Sequence, residues 1–214
     1  MSKVIVKICG LTRVEDVRAV IKAGADAVGF VFTASPRRIN VERAIELVKH
    51  VPDGVLRVGL FLDQHQSEIE EVTAQVPLDI LQFHGSESES ECNGFGLPWL
   101  KAVAMENTES VQQAEREYSG ACGLLLDSHS KGKRGGSGRM FDWSMVRPVT
   151  KPIWLAGGLD AQNVGEAIGT IRPFAVDVSS GVESEPGIKD ADRVMAFVQA
   201  VRQAEIHNMN GKSE

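Results

Sequence analysis

Two side chains suited to acid–base chemistry, Cys9 and Asp127, stand at the ends of two apolar segments of strand-like length. A thiol becomes a base when nearby positive charge lowers its pKa from an ordinary value of about 8.5. Lys7 is the nearest cation in the sequence. Asp127 could act as a general acid if a bound substrate buried it and kept it protonated. Two simpler interpretations stay open, which are a buried inert thiol and an aspartate that caps the following loop.

Three glycine-rich segments have the composition of a phosphate site. Gly135–Gly138, Gly157–Gly158 and Ser179–Gly181 each follow one of the last three strand-like segments. Glycine lets backbone N–H groups approach phosphate oxygens closely, and a helix N-terminus adds to the attraction. One glycine pair is more typical of an ordinary turn. Two such turns after the last two strands favour phosphate binding, because this is the usual phosphate site of α/β barrels.

Four further polar residues have less distinctive positions. Arg37 follows the second strand-like segment, and its planar guanidinium suits a substrate carboxylate, with a solvated surface arginine as the alternative. His84 and His129 could move protons, but neither has a matching carboxylate in the sequence pattern, so a catalytic role is not predicted. Lys101 could form a Schiff base, although a structural lysine lining the barrel interior is the favoured interpretation. No HExxH motif or carboxylate cluster indicates a metal site.

The elements that must position these residues follow one recurring pattern, a short β-branched run and then an amphipathic stretch. This alternation predicts a parallel sheet with right-handed crossovers. Eight strands in a chain of 214 residues favour one closed (β/α)8 TIM barrel over a doubly wound sheet, and no GxGxxG motif follows the first strand. The predicted strands are Val4–Ile8, Ala27–Phe32, Val55–Phe61, Asp79–Phe83, Trp99–Ala104, Gly123–Asp127, Ile153–Ala156 and Phe174–Val178.

Helices are predicted between these strands, with shorter or irregular ones after strands four and six. We expect one barrel domain over residues 1–206 and a polar tail over residues 207–214. The predicted helices are Val14–Ala23, Val41–Val51, Glu68–Gln75, Ser110–Glu117, Ala161–Thr170 and Asp190–Glu205.

The alternation of side chains along each strand predicts which residues enter the barrel. On strand one, Lys7 and Cys9 are expected to point inward, on strand six Asp127, and on strand eight Asp177. Cys9 and Asp127 then lie at the carboxyl-terminal rim, where barrel active sites are built. Lys7 and Asp177 lie deeper, and because an unpaired buried charge is costly we expect them to pair or to orient the rim groups.

The composition limits the partners and the compartment. A net charge of −6 without a basic stripe argues against nucleic acid, and no apolar run reaches the roughly 18 residues that span a bilayer. The first residues lead directly into a strand and do not resemble a signal peptide. Three cysteines without CxxC spacing favour neither a disulfide scaffold nor a zinc site, so a cytoplasmic protein is expected.

Six linked motifs resemble the phosphoribosylanthranilate isomerase family. They occur in the family's order and span residues 3 to about 202. Ser137 stands where many members carry threonine, which keeps the hydroxyl group. The motifs are Lys7–Gly10, Gly29–Phe32 with Ser35–Arg37, Gln82–Gly85, Gly135–Gly138 with Phe141–Trp143, Ala156–Leu159, and Val176–Glu183.

The resemblance implies isomerisation of N-(5-phosphoribosyl)anthranilate to its 1-deoxyribulose product, an Amadori rearrangement that uses no metal and no organic cofactor. It implies that Cys9 is the general base and Asp127 the general acid, and that Arg37 binds the anthranilate carboxylate. The implied partner is a small phosphorylated aminosugar, and the protein is expected to be a monomer or a homodimer. The implied phosphate-binding residues are Gly136, Ser137, Gly158, Ser180 and Gly181.

Two other classes of function remain as alternatives. Another phosphosugar barrel enzyme is one, such as indole-glycerol-phosphate synthase, whose catalytic lysine and carboxylates we cannot place on this sequence. A histidine-pathway isomerase would need aspartates at the ends of strands one and five, where this chain has Cys9 and Ala104. A non-catalytic barrel that binds phosphometabolites is the second class, and it would tolerate the loss of Cys9 or Asp127.

Overall fold

Eight parallel strands close into a barrel, and each strand pairs with its neighbours in sequence, with β8 pairing with β1. The computed structural model describes residues 3–128 and 141–210. The predicted (β/α)8 barrel is confirmed, and each predicted strand matches the observed one to within one residue at either end. The strands are β1 Ile5–Cys9, β2 Ala27–Val31, β3 Leu56–Phe61, β4 Ile80–Phe83, β5 Trp99–Ala104, β6 Gly123–Asp127, β7 Ile153–Leu155 and β8 Ala175–Val178.

The helices surround the barrel, and the connections after β4 and β6 are the irregular ones. A four-residue helix and a 3-10 turn follow β4, and the described part of the connection after β6 holds the 3-10 turn Trp143–Met145. The helices are α1 Val14–Ala23, α2 Val41–Val48, α3 Gln66–Gln75, α4 Glu89–Cys92, α5 Ser110–Glu117, α6 Val164–Ile171 and α7 Ala191–Asn210.

Three helix ends differ from the prediction by three residues or more. Helix α2 ends at Val48 and not at the predicted Val51, and the other two differences have physical reasons. Asp160 Oδ1 accepts hydrogen bonds from the backbone N–H groups of Gln162 and Asn163, which holds this segment as a turn and delays the start of α6. Helix α7 continues to Asn210 because no helix-breaking residue occurs before Gly211. The boundary predicted at residue 206 therefore falls inside α7, and the division into a barrel domain and a tail stays a prediction.

The strands separate two apolar regions. The side chains of Val6 and Ile8 on β1, and of Val4 just before it, pack outward against the helices, as predicted. A smaller cluster fills the barrel interior, with Leu125 and Trp154 among its buried members. None of the helices in the described ranges is long and apolar enough to cross a membrane.

The predicted position of Lys101 is wrong. On β5 it lies beside Leu124, which faces the helices, and its Nζ donates to the Gly85 carbonyl and to Glu87 Oε2, both at 2.7 Å. Lys101 is therefore a buried, ion-paired lysine of the helix layer and does not line the interior. Strands of parallel barrels are buried on both faces, so their apolar pattern does not reveal which face a lysine occupies.

Candidate active site

One cleft opens at the carboxyl-terminal ends of the strands and is lined by side chains and turns from several of them. Two of the eight predicted site residues, Gly136 and Ser137, lie outside the described residues. The cleft brings together the other six, which are Cys9, Arg37, Asp127, Gly158, Ser180 and Gly181.

Cys9 ends β1 and is buried beneath the cleft. A Cβ at Gly29, its neighbour on β2, would lie 2.7 Å from Cys9 Sγ, so glycine at this position makes room for the thiol. Burial raises the pKa of the Cys9 thiol, although the charges of Lys7 and Lys189 oppose the shift. Lys7 was expected to lower this pKa, and it does oppose the rise, but its effect is smaller than that of burial. The resting side chain is consequently a neutral thiol.

Lys7 lies below Cys9 with its side chain fully buried. Its Nζ donates to Gln82 Oε1 and to Asp177 Oδ2, both at 2.9 Å, so the predicted pairing of Lys7 with Asp177 is confirmed. Burial is the largest single effect and would lower the pKa of Lys7, but the charges and hydrogen bonds of Asp177 and Cys9 together raise that pKa above the ordinary value. Lys7 therefore stays an ammonium group at neutral pH.

Asp127 ends β6 and lies close to a histidine at the end of β4, two strands away in the barrel. His84 Nε2 is 3.4 Å from Asp127 Oδ2, and the other ring nitrogen, Nδ1, is 3.1 Å from Gln82 Nε2. No catalytic role is predicted for His84 from the sequence, since Asp127 is 43 residues away along the chain. One signal was present: Gln82 and His84 continue the inward-facing positions of β4.

Arg37 reaches the rim of the cleft already paired with a carboxylate. Its Nε and Nη2 donate to the two oxygens of Glu183 at 2.8 and 2.7 Å, and Lys189 Nζ lies 2.7 Å from the same carboxylate. Burial would raise the pKa of Glu183, but Arg37 and Lys189 outweigh it and hold that pKa below its ordinary value. Among the described residues Nη1 has no hydrogen-bond acceptor, so this edge of Arg37 can serve a ligand.

Glu183 and Lys189 were not singled out from the sequence. They belong to a short antiparallel pair after β8, of Glu183–Glu185 and Ile188–Lys189. Lys189 Nζ also lies 3.2 Å from the Ser179 carbonyl, and Ser179 Oγ donates to the Cys9 carbonyl. The pair therefore connects the rim after β8 with both Arg37 and Cys9.

The turns after β7 and β8 approach each other closely. A Cβ at Gly181 would overlap the carbonyl oxygen of Leu159, so glycine is required for this approach. Asn163 Nδ2 donates to the Gly158 carbonyl at 2.8 Å and fixes the first turn. Polar backbone groups of two turns thus line the cleft, at the place where barrel enzymes usually bind phosphate. No cluster of metal-ligating side chains occurs within residues 3–128 and 141–210.

The chain is similar to known proteins over nearly its whole length. The family model for N-(5'-phosphoribosyl)anthranilate (PRA) isomerase matches residues 6–200. A relative from Pseudomonas putida (strain W619), named N-(5'-phosphoribosyl)anthranilate isomerase, is 50% identical over 206 residues, which cover 95% of this chain and 100% of the relative.

Solved structures agree with the sequence relatives. A phosphoribosyl anthranilate isomerase in complex with reduced 1-(o-carboxyphenylamino)-1-deoxyribulose 5-phosphate is 36% identical, with a TM-score of 0.80 over 94% of this chain and 99% of the other. A structure of monomers generated from the dimeric isomerase of Thermotoga maritima is 37% identical, with a TM-score of 0.81 and the same coverage. The chain therefore belongs to the N-(5'-phosphoribosyl)anthranilate isomerase family, the isomerases of tryptophan biosynthesis.

Proposed function

We propose that Cys9 and Asp127 are the general base and general acid with which this isomerase converts N-(5'-phosphoribosyl)anthranilate to 1-(2-carboxyphenylamino)-1-deoxyribulose 5-phosphate. The observation that carries the assignment is their position in one cleft, together with Arg37 and the glycine turns. Groups at the carboxyl-terminal ends of different strands are the usual catalytic groups of barrel enzymes.

Asp127 acts in the first step of the proposed reaction. Its proton moves to the ring oxygen of the ribose, the bond from that oxygen to C1 breaks with its electron pair on oxygen, and the amine nitrogen forms an iminium with C1. The Cys9 thiol loses its proton to solvent, and the thiolate then removes the proton on C2, so that the electrons of the C–H bond form an enolamine. Tautomerisation of the enolamine to the ketone completes an Amadori rearrangement that needs no cofactor.

The raised pKa of the Cys9 thiol is compatible with this order of proton transfers. The positive iminium forms next to the thiol and favours the thiolate, because an opposite charge nearby stabilises the charged form. The same iminium acidifies the C2 proton, so a moderately basic thiolate suffices. The charges of Lys7 and Lys189 also favour the thiolate of Cys9.

The substrate's two anionic ends would be held at separate places. The anthranilate carboxylate is proposed to contact the exposed edge of Arg37, which Glu183 holds in a fixed orientation. The phosphate is proposed to rest on backbone groups near Gly158, Ser180 and Gly181. Gly136 and Ser137 complete the phosphate site in this proposal.

The partners and the compartment complete the proposal. The ligand is one small phosphorylated aminosugar, nucleic acid is not a partner, and the chain works as a monomer or a homodimer. All three cysteines are unpaired thiols, which supports a reducing compartment, and we propose the cytoplasm.

Turnover of enzymatically generated N-(5'-phosphoribosyl)anthranilate tests the assignment, with loss of the anthranilate-type fluorescence as the signal. We expect folded Cys9→Ser and Asp127→Asn to lose about a hundredfold or more in kcat, the scale of general acid–base groups. The matched controls Cys122→Ser and Asp53→Asn, at exposed positions, should retain wild-type rates.

Two results would contradict the proposal in different ways. Wild-type protein that binds the substrate without converting it would point to a phosphometabolite-binding barrel. Cys9→Ser and Asp127→Asn variants with wild-type kcat would leave the reaction in place and remove the assigned roles.

A further inference from the structure

A chain of polar contacts runs below the cleft from Asp127 to Lys7. Asp127 Oδ2 lies 3.4 Å from His84 Nε2, His84 Nδ1 lies 3.1 Å from Gln82 Nε2, and Gln82 Oε1 accepts from Lys7 Nζ at 2.9 Å. Lys7 and Gln82 are completely buried. His84 and Asp127 each expose about a tenth of the side chain, towards the cleft. The contacts therefore link the proposed general acid with the buried ammonium group.

The direction of each hydrogen bond in this chain of contacts can be derived by starting from Lys7. An ammonium group donates and cannot accept, so the Gln82 oxygen must face Lys7. The Gln82 amide nitrogen, a donor, then faces His84 Nδ1. Nδ1 must accept this hydrogen bond and carries no proton, so the neutral imidazole has its proton on Nε2. That nitrogen faces Asp127 Oδ2.

We propose that His84 is a positioning residue for the general acid, held by Lys7 through Gln82 as the tautomer that donates from Nε2 to Asp127. The inference rests on the proposed role of Asp127 as the acid. The 3.4 Å contact is long for a hydrogen bond, as catalytic contacts commonly are before substrate binds.

This tautomer has two consequences for the acid. The imidazole cannot take the proton of Asp127, because it would then carry a proton on Nδ1 as well, directly against the Gln82 amide. The proton is therefore available to the ring oxygen of the substrate. When Asp127 has released it, the Nε2–H donor faces a full carboxylate, and hydrogen bonds to charged groups are the stronger ones. His84 consequently stabilises the acid after proton transfer more than before it.

The tautomer can be observed without any activity measurement. Two-dimensional ¹H–¹⁵N correlation spectra of the histidine rings distinguish the Nε2–H tautomer, the Nδ1–H tautomer and the imidazolium, and the His84 signals are those lost in His84→Gln. We expect the neutral ring of His84 in wild-type protein to be the Nε2–H tautomer alone. In Gln82→Met, which removes the donor facing Nδ1, we expect the Nδ1–H tautomer to appear as well. Wild-type protein whose neutral His84 ring is the Nδ1–H tautomer would overturn the inference, as would an unchanged ring in folded Gln82→Met.

Kinetics separate positioning from a merely structural role. We expect His84→Leu to lower kcat by roughly tenfold to a hundredfold, the range for one hydrogen bond to a charged group, with little change in KM. His84→Gln, which still carries a donor, should recover part of the loss. A residue that only forms the cleft wall would raise KM and leave kcat unchanged. His50→Gln, outside the cleft, is the matched control with wild-type constants.

Failure of this inference can be told apart from failure of the proposed function. If Asp127→Asn turns over substrate at the wild-type rate, the acid assignment fails, whatever the tautomer of His84. If Asp127→Asn is inactive while His84→Leu keeps the wild-type kcat, the acid assignment stands and the role of His84 is refuted.

Discussion

The barrel interior contains an apolar layer and a charged network, and the two meet on strand β4. We use apolar layer for the cluster around Ile80, Leu125 and Trp154, and charged network for Lys7, Asp177, Gln82 and His84. Ile80 belongs to the layer, whereas Gln82 and His84, further along the same face, belong to the network.

The difference between the two regions is one of function. Burial of the layer stabilises the fold through removal of apolar surface from water. A buried ion pair gives little net stability, because the desolvation of its charges offsets their attraction. We therefore propose that the network serves to position Cys9 on one side and Asp127 on the other.

Removal of one charge from the charged network should have the largest effect on the free energy of unfolding. Lys7→Met leaves Asp177 buried without its counter-ion, and loss of one partner of a buried pair costs about 3–5 kcal/mol. Urea unfolding followed by circular dichroism measures this loss. We also expect kcat to fall, because Gln82 and Cys9 lose their contact with the ammonium group.

A double substitution separates the two effects of Lys7. Lys7→Met combined with Asp177→Leu removes both charges, so much of the unfolding free energy should return while kcat stays low. A double variant with wild-type stability and wild-type turnover would show that the network has no role.

The fold and the two central site residues could be predicted because they depend on local pattern. Each strand is a short β-branched run between turn residues, and inward-facing Cys9 and Asp127 follow from alternation along β1 and β6. Lys7 and Asp177 were found in the same way, and adjacent strands made their pairing predictable.

Contacts across the barrel could not be predicted. His84 meets Asp127 because β4 and β6 lie near each other at the rim of a closed barrel, and the separation of their side chains depends on closure. Arg37 and Glu183 are 146 residues apart, and nothing in either segment indicates the other. Alternation also failed for Lys101, since both faces of its strand are buried.

A conservative change in the apolar layer tests the other half of the comparison. Ile80→Val removes one buried methylene group two residues before Gln82 on the same face of β4. We expect a loss of about 0.5–1.5 kcal/mol in the free energy of unfolding and no change in kcat. If kcat fell with stability unchanged, the apolar layer would also position the catalytic groups, and the distinction between the two regions would be lost.

The Lys7–Asp177 pair below the cleft and the Arg37–Glu183 pair at its rim should lose their stabilising effect at opposite extremes of pH. This is the smallest expected effect. The pKa of Lys7 is raised, so its contribution is present below the ordinary lysine value of about 10.4 and is lost as pH rises through the folded value. The pKa of Glu183 is lowered, so its contribution is present above the ordinary value of about 4.3 and is lost as pH falls through the folded value.

Unfolding free energies at several pH values, for wild type and for Glu183→Gln, isolate the rim pair from the other acidic groups. The difference between the two proteins should be constant near neutrality and should shrink on acidification below about pH 4.3. The matching difference for Lys7→Met should be constant there and shrink above about pH 10.4. A Glu183→Gln difference that instead shrinks as pH rises would mean that Glu183 is not held as a carboxylate by Arg37, and the orientation assigned to that arginine would have to be abandoned.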